Sequence, residues 1–205
     1  MSHLRRALIA LLLPLITACT VLPGSEHTVH PLPAAEPEPV EGPAVAGTLR
    51  VAAPRTSDFL ASNRIAVAPE EGQLQAYGGA RWPSPVPRLW QDHVIDGFRT
   101  SGAVAQVIDD AEDARADWHL AGTLRTFHLD AAAGQARVAL DARLIETRRR
   151  EVIAAERFAA TAAAEGEDAS AAVEALGRAS EEVVRALIRW TMDAAGEGAQ
   201  GGGEP

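Results

Sequence analysis

Between Trp118 and Thr161 the chain alternates apolar and polar residues through three successive runs, and this constrains the fold more than any other feature. Trp118, Leu120, Gly122 and Leu124 share one parity, and Phe127 and Leu129 share the other. A strand with a bulge between Leu124 and Phe127 accounts for the change of phase, because one extra residue turns every later side chain to the opposite face. After a turn at Ala133-Gly134-Gln135, Val138, Leu140, Ala142 and Leu144 alternate with Arg137, Ala139, Asp141 and Arg143. This is the pattern of an antiparallel strand with one face buried. Arg148-Arg149-Arg150 marks the next tip, and Val152 to Thr161 returns. The three runs predict a meander.

Shorter extended signals precede it. Leu49-Arg50-Val51 and Arg64-Ile65-Ala66-Val67 stop before Pro54 and Pro69, and Leu74-Gln75-Ala76-Tyr77 stops at Gly78-Gly79. A stiff corner follows from Arg81 to Pro87. A helix then starts near Pro85 or Pro87, since proline is tolerated in a first turn. Val86, Trp90, Val94 and Phe98, with Ile95, make one apolar stripe; Gln91, Asp92, Asp96 and Arg99 are expected on the other side, and Gly102 ends the helix. Val104 and Val107-Ile108 resume an extended pattern before an acidic turn at 109–113. A second helix is expected from about Asp168 to Met192, with Ala169, Val173, Leu176, Ser180, Val183, Leu187 and Trp190 on its stripe, widened by Val184 and Ile188. Two amphipathic helices and a half-buried sheet predict an α+β domain of two layers: a mostly antiparallel sheet with both helices on one face.

The start of the chain has a different character. Arg5 and Arg6 precede a short apolar stretch from Ala7 to Ile16, and Leu15-Ile16-Thr17-Ala18-Cys19 follows. Ten residues of helix cover roughly 15 Å, half of a bilayer core, so this stretch reads as the apolar region of a secretory signal and not as a span. The string ending at Cys19 resembles a bacterial lipobox, and Cys19 is the only cysteine. The resemblance implies cleavage before Cys19, acyl chains on its thiol and amine, and a mature protein held at a membrane. Thr20 is not the aspartate that retains such proteins at the inner membrane, which implies the periplasmic face of the outer membrane. Residues 1–18 are thus expected to be a signal peptide. Residues 19–47, with six prolines among four glutamates from Pro23 to Pro43, read as a lipidated start and an extended tether that reaches roughly 90 Å at most. Residues 48–193 read as the folded domain and 194–205 as a Gly-rich disordered tail.

Loss of Arg5 and Arg6 leaves 17 basic against 28 acidic residues, a net −11 for the mature chain. That balance argues against nucleic acid, and against anionic lipid as a general surface partner. No catalytic constellation, cofactor site or metal set emerges. There is no catalytic cysteine, no Gly-x-Ser-x-Gly and no phosphate-cradling loop. His27 and His30 lie in the tether. His119 and His128 point to opposite faces unless their strand bulges. Asp109, Asp110, Glu112 and Asp113 lack the spacing and glycine of a calcium loop and read as a solvated turn. Trp90, Trp118 and Trp190 read as core. Tyr77, Arg81 and Trp82 stand at a rigid Pro-rich corner, a composition typical of partner anchors, with packing under the loop as the alternative for Trp82. Arg148-Arg149-Arg150 reads as a solvated tip, with contact to an acidic partner or a lipid headgroup as the other reading.

Taken in order, these pieces resemble the ABC-type transport auxiliary lipoproteins, the PqiC-type components of MCE lipid-transport systems. The resemblance rests on the lipobox at Cys19, the strand Asn63-Arg64-Ile65-Ala66-Val67 and Tyr77 with Arg81-Trp82. It continues through the proline-bearing helix start with Trp90 and Phe98, then Ala116-Asp117-Trp118-His119-Leu120, Leu124 with Phe127, the Val138-to-Leu144 strand, and a last helix ending in Trp190. It implies a non-enzymatic envelope subunit that works beside an inner-membrane permease, a cytoplasmic ATPase and a periplasmic MCE-domain protein. The subunit would dock the periplasmic components at the outer membrane by protein-protein contact, as a homo-oligomer where an axial conduit invites a symmetric collar. The competing reading is a stand-alone envelope lipoprotein that binds a small apolar ligand or assists outer-membrane assembly.

Overall fold

The computed structural model describes residues 27–40 and 42–200. Cys19 and the signal segment lie outside the described residues, as do residues 201–205 of the tail.

A long central strand, β6 (Trp118–Asp130), organises an eight-stranded sheet. Along one side it pairs over its whole length with antiparallel β7 (Gln135–Glu146), which pairs in turn with antiparallel β8 (Glu151–Ala163). This is the meander. The register slips between Leu124 and Thr126, leaving Arg125 as the bulged residue. The slip turns Phe127 and Leu129 to the same face as Trp118, Leu120 and Leu124, and all five are buried there. Removing each of these large side chains from water contributes roughly 1.5–3 kcal/mol, which makes this face the centre of the core.

The other side of β6 is shared. Its start pairs with parallel β2 (Val45–Val51), which continues to parallel β5 (Val104–Asp109). Its end pairs with parallel β3 (Arg64–Ala68), which continues to antiparallel β4 (Gln75–Arg81) and then to parallel β1 (Thr28–Val29). A single parallel bridge from Arg55 to Thr123 spans the fork between the two branches. The sheet is therefore mixed, with its longest pairings antiparallel.

Helices α1 (Val86–Ser101) and α2 (Ala169–Gln200) pack on the sheet face that carries the core. Pro85 caps α1, Pro87 lies in its first turn, and left-handed Gly102 ends it. Gln91 departs from the expected pattern. It is buried, donating through Nε2 to the Val51 carbonyl and to Asp110 Oδ1, both at 2.8 Å. A buried amide is retained because both bonds are made, and they fasten α1 to β2 and to the acidic turn. The α2 stripe is as expected, with Val173, Leu176, Ser180, Val183, Val184, Leu187 and Ile188 buried. The helix continues to Gln200, so residues 194–200 belong to it and not to a tail.

The largest correction concerns the tether. Residues 28–40 and 42–47 are part of the fold. β1 joins the sheet, and His30 N donates to the Arg81 carbonyl at 2.8 Å. The chain then crosses both helices as a strap from His30 to Val40, whose amide reaches the Ser101 carbonyl at the end of α1. Ala35 and Pro37 of the strap are buried. Pro33 sits so close to α2 that a Cβ added at Gly177 would lie 2.7 Å from its Cγ. Proline brings no amide hydrogen that burial would leave unpaired, so a proline-rich segment can lie on a helix with fewer donors to satisfy.

Candidate docking surface

The sequence places Tyr77, Arg81 and Trp82 together at one corner, and the structure separates them into three environments. Arg64 is opposite Arg81 and Ala66 is opposite Ala76, so β4 inserts Tyr77-Gly78-Gly79-Ala80 where β3 has Ile65 alone. The insertion is a wide bulge, made possible by left-handed Gly79 at φ 70°. Gly78 and Gly79 are exposed. The strand thus passes through the glycine pair that was expected to end it.

Tyr77 is half-buried on this bulge. Burial first, and then the carboxylates of Asp168 and Glu167, push its phenol above the ordinary value. Its ring packs against the core edge and its environment is acidic. Arg81 is also half-buried. Its Nη1 donates to Asn63 Oδ1 at 3.4 Å, and its Nη2 lies 3.0 Å from His27 Nε2. Trp82 is different: it is 1% exposed. Its ring leans on Phe127 at 5.7 Å between centroids, and Phe127 meets Trp90 edge-on at 6.1 Å. The expected role of Trp82 as a partner anchor is therefore corrected to packing under the corner, because a side chain without free surface cannot fill a partner's pocket. Its indole Nε1 is buried without a hydrogen-bond partner among the described residues.

Sequence reasoning missed two neighbours. Val29, Arg81 and Arg64 lie abreast on β1, β4 and β3, since Val29 partners Arg81 and Arg81 partners Arg64. No periodic signal marks this row, because its members come from three distant segments.

The remaining candidates resolve separately. The tip at residues 148–150 is exposed, but Glu146 holds it: its carboxylate accepts from the Arg148 and Arg149 amides and pairs with the Arg148 guanidinium. In the acidic turn, Asp109 Oδ1 accepts from the Ala111 and Glu112 amides. The Arg50 guanidinium donates to the carbonyls of Asp109, Glu112 and Ala114. The turn is built around an arginine. The β6 bulge places His119 and His128 on the same, outward face, yet nine residues apart on one strand, roughly 30 Å at about 3.3 Å each, beyond any shared metal. Burial lowers the affinity of both for protons. His93 is buried beside Trp90 at 6.1 Å between ring centroids, and burial pushes it down to about 4. Among the described residues no group of three or more His, Cys, Asp or Glu side chains could hold a metal ion.

A hollow of about 770 Å³ is open to solvent between the turn at Glu70–Leu74 and the end of β6 at His128 and Asp130. An apolar hollow between Trp90, Leu140 and Leu187 holds only about 20 Å³, near the size of one water.

Comparison with known proteins gives these features a family. Residues 30–187 match the family described as the ABC-type transport auxiliary lipoprotein component. The matched span begins inside the strap. No curated protein matches the chain. Protein XCC0632 from Xanthomonas campestris, of the DUF330 family, is similar in structure at a TM-score of 0.77 with 28% identity, over 84% of this chain and 99% of its own. An uncharacterised protein follows at a TM-score of 0.65 with 14% identity, over 81% of this chain and 99% of its own. The hypothetical protein CT253 from Chlamydia trachomatis has a TM-score of 0.50 with 9% identity, over 74% of this chain and 99% of its own. The last two share the fold. With more than half of its length inside the family match, the chain belongs to the ABC-type transport auxiliary lipoprotein component family.

Proposed function

We propose that this protein is the outer-membrane-anchored auxiliary subunit of an MCE-type ABC transporter that moves lipids between membranes. Cys19 carries the acyl anchor, at the periplasmic face. The domain docks the MCE-domain periplasmic protein, and the permease and ATPase of the same system carry the transport and energy steps. The subunit acts by contact and not by catalysis. Copies arranged as a ring suit an axial conduit.

One observation carries the reading: the family match over residues 30–187 lies directly downstream of Leu15-Ile16-Thr17-Ala18-Cys19. Two hollows support docking rather than carriage of a lipid at those places. The apolar hollow of about 20 Å³ has no room for an acyl chain, and the large hollow is open and lined by Glu70, Glu71, Arg125 and Asp130.

Two experiments test it. Cys19→Ser should move the protein from the membrane to the soluble periplasmic fraction; full retention in the membrane defeats the anchor. Gentle co-purification of the native protein should bring down an MCE-domain partner, and recovery of the subunit without one counts against the transport system. Either result stands without the other.

A further inference from the structure

The strap changes where the domain can stand. Because the chain is already paired into the sheet at Thr28, and not first near Thr48, the stretch between Cys19 and that pairing is short. The eight residue steps from Cys19 to His27 span at most about 28 Å when fully extended. A domain of this size has a radius of gyration of about 15 Å, so the leash is shorter than the molecule is wide. The point where the chain enters the fold is therefore the part of the domain held nearest the anchor.

That point is β1, at the free edge of the β1–β4–β3 wing, and it carries a distinctive row. Val29 is 57% exposed, although large apolar residues are otherwise mostly buried. Next to it stand Arg81 and Arg64, directly opposite each other across an antiparallel pair. Like charges in such a pair are destabilising unless a partner compensates them. Among the described residues no carboxylate forms a salt bridge with either. Arg64 is exposed, while Arg81 is half-buried with Nη1 on Asn63 Oδ1 and Nη2 beside His27 Nε2, so Arg64 is the more accessible charge of the pair.

Resting on the anchored reading above, we infer that the row Val29–Arg81–Arg64 is a bilayer-facing surface, and that its occupant is a phospholipid surface bearing anionic headgroups. The fork of exposed Arg64 matches phosphate oxygens in pairs, Arg81 beside it adds positive charge, and an exposed valine at the same level tolerates the interface. The overall acidic charge does not oppose this. Charges more than a Debye length of about 8 Å away are screened, so only the groups brought to the surface are felt. Without the leash the acidic molecule would not collect on such a membrane. With it, the two arginines have only to choose which side faces down.

The experiment uses the mature chain from Cys19, coupled through that thiol to a maleimide-bearing lipid in vesicles of phosphatidylethanolamine and phosphatidylglycerol. A photo-crosslinking residue replaces Val29 in one preparation and Ala159 in another. Ala159 is exposed on β8, at the opposite edge of the sheet. Strong lipid crosslinking from position 29 and little from 159 is expected. Arg64→Ala should lower the yield at 29 about fivefold, the loss of one arginine near an anionic surface. Phosphatidylcholine vesicles should lower it likewise. Equal yields from 29 and 159, or a yield at 29 indifferent to both Arg64 and lipid charge, overturn the inference. Chemical coupling makes this outcome independent of natural acylation, which the Cys19→Ser fractionation reads by itself.

Discussion

The β6–β7–β8 meander and the β1–β4–β3 wing belong to one sheet, but they are built by opposite means. In the meander every strand pairs with its neighbour in sequence across a tight turn, and the register is kept over twelve or more residues apart from single-residue bulges at Arg125 and Ile153. In the wing, Thr28 meets Ala80 and Val67 meets Leu129, and β4 carries an insertion of four residues opposite one. Local pairing writes itself into the sequence as alternation. Remote pairing leaves no such mark, because each short strand borrows its partner from elsewhere. The wing is joined to the meander by the short β3–β6 pairing and by a buried junction, where Trp82, just after β4, lies against Phe127 of β6.

The sharpest way to break this comparison is at that junction. Trp82→Ala should cost about 3–5 kcal/mol, the range for an aromatic deleted from a core. The loss should appear as a single shifted transition in denaturant with unchanged slope. Two separate transitions would mean that the wing and the meander unfold independently. Trp82→Phe should cost less than about 1.5 kcal/mol, because it keeps most of the ring contact and removes an indole N–H that has no partner among the described residues.

The next effect comes from His93, which lies under the same junction beside Trp90. Burial depresses its folded-state value from 6.5 to about 4. Between those values the unfolded chain takes up a proton that the native one refuses. Stability is therefore full above pH 6.5 and falls as the pH drops toward 4, by about 2–4 kcal/mol over the window. His119 and His128 are displaced in the same direction and add to the slope. His93→Leu should flatten the melting temperature between pH 6.5 and 4; an undiminished slope would place the effect elsewhere.

Particular residues show what the sequence made legible. The β6 bulge was readable because Leu124 and Phe127 break parity within one strand, and both helix stripes were readable because their periods are local. Gln91 was misplaced because polarity alone does not reveal that Val51 and Asp110 supply its bonds. The strap was hidden for a deeper reason. Its prolines and glutamates have the composition of a solvated linker, and the space that receives it is made by Gly97 and Gly177 on two other elements. The candidate surface was half legible: Arg81 was singled out, whereas Arg64 and Val29 join it only through register.

Gly177 tests the strap directly. Gly177→Ala should destabilise by about 1–3 kcal/mol through collision with Pro33, although alanine is intrinsically the better helix residue by about 1 kcal/mol. Replacing Pro33 by Ala in the same chain should recover much of the loss, giving a coupling of about 0.5–3 kcal/mol between positions more than a hundred residues apart. Additive effects would show that the strap does not press on α2.

The smallest effect is expected where the structure looks most tightly knit. On the outward face of the meander Asp141 is held by Arg125 at 2.6 Å and by Arg157 at 2.5 Å, one rung across all three strands. The Arg157 and Arg125 guanidinium groups hold its carboxyl down at about 2. Its contribution is present above the ordinary value of 3.8 and is lost as the pH falls toward 2, below the window assigned to His93. Yet Asp141→Ala should cost less than any of the substitutions above, because solvent screens exposed pairs and long side chains lose entropy to make them. A thermal scan at neutral pH distinguishes the cases. A loss as large as that of Trp82→Ala would mean that the polar face, and not the row of Leu120, Leu124 and Phe127 behind it, holds the meander together.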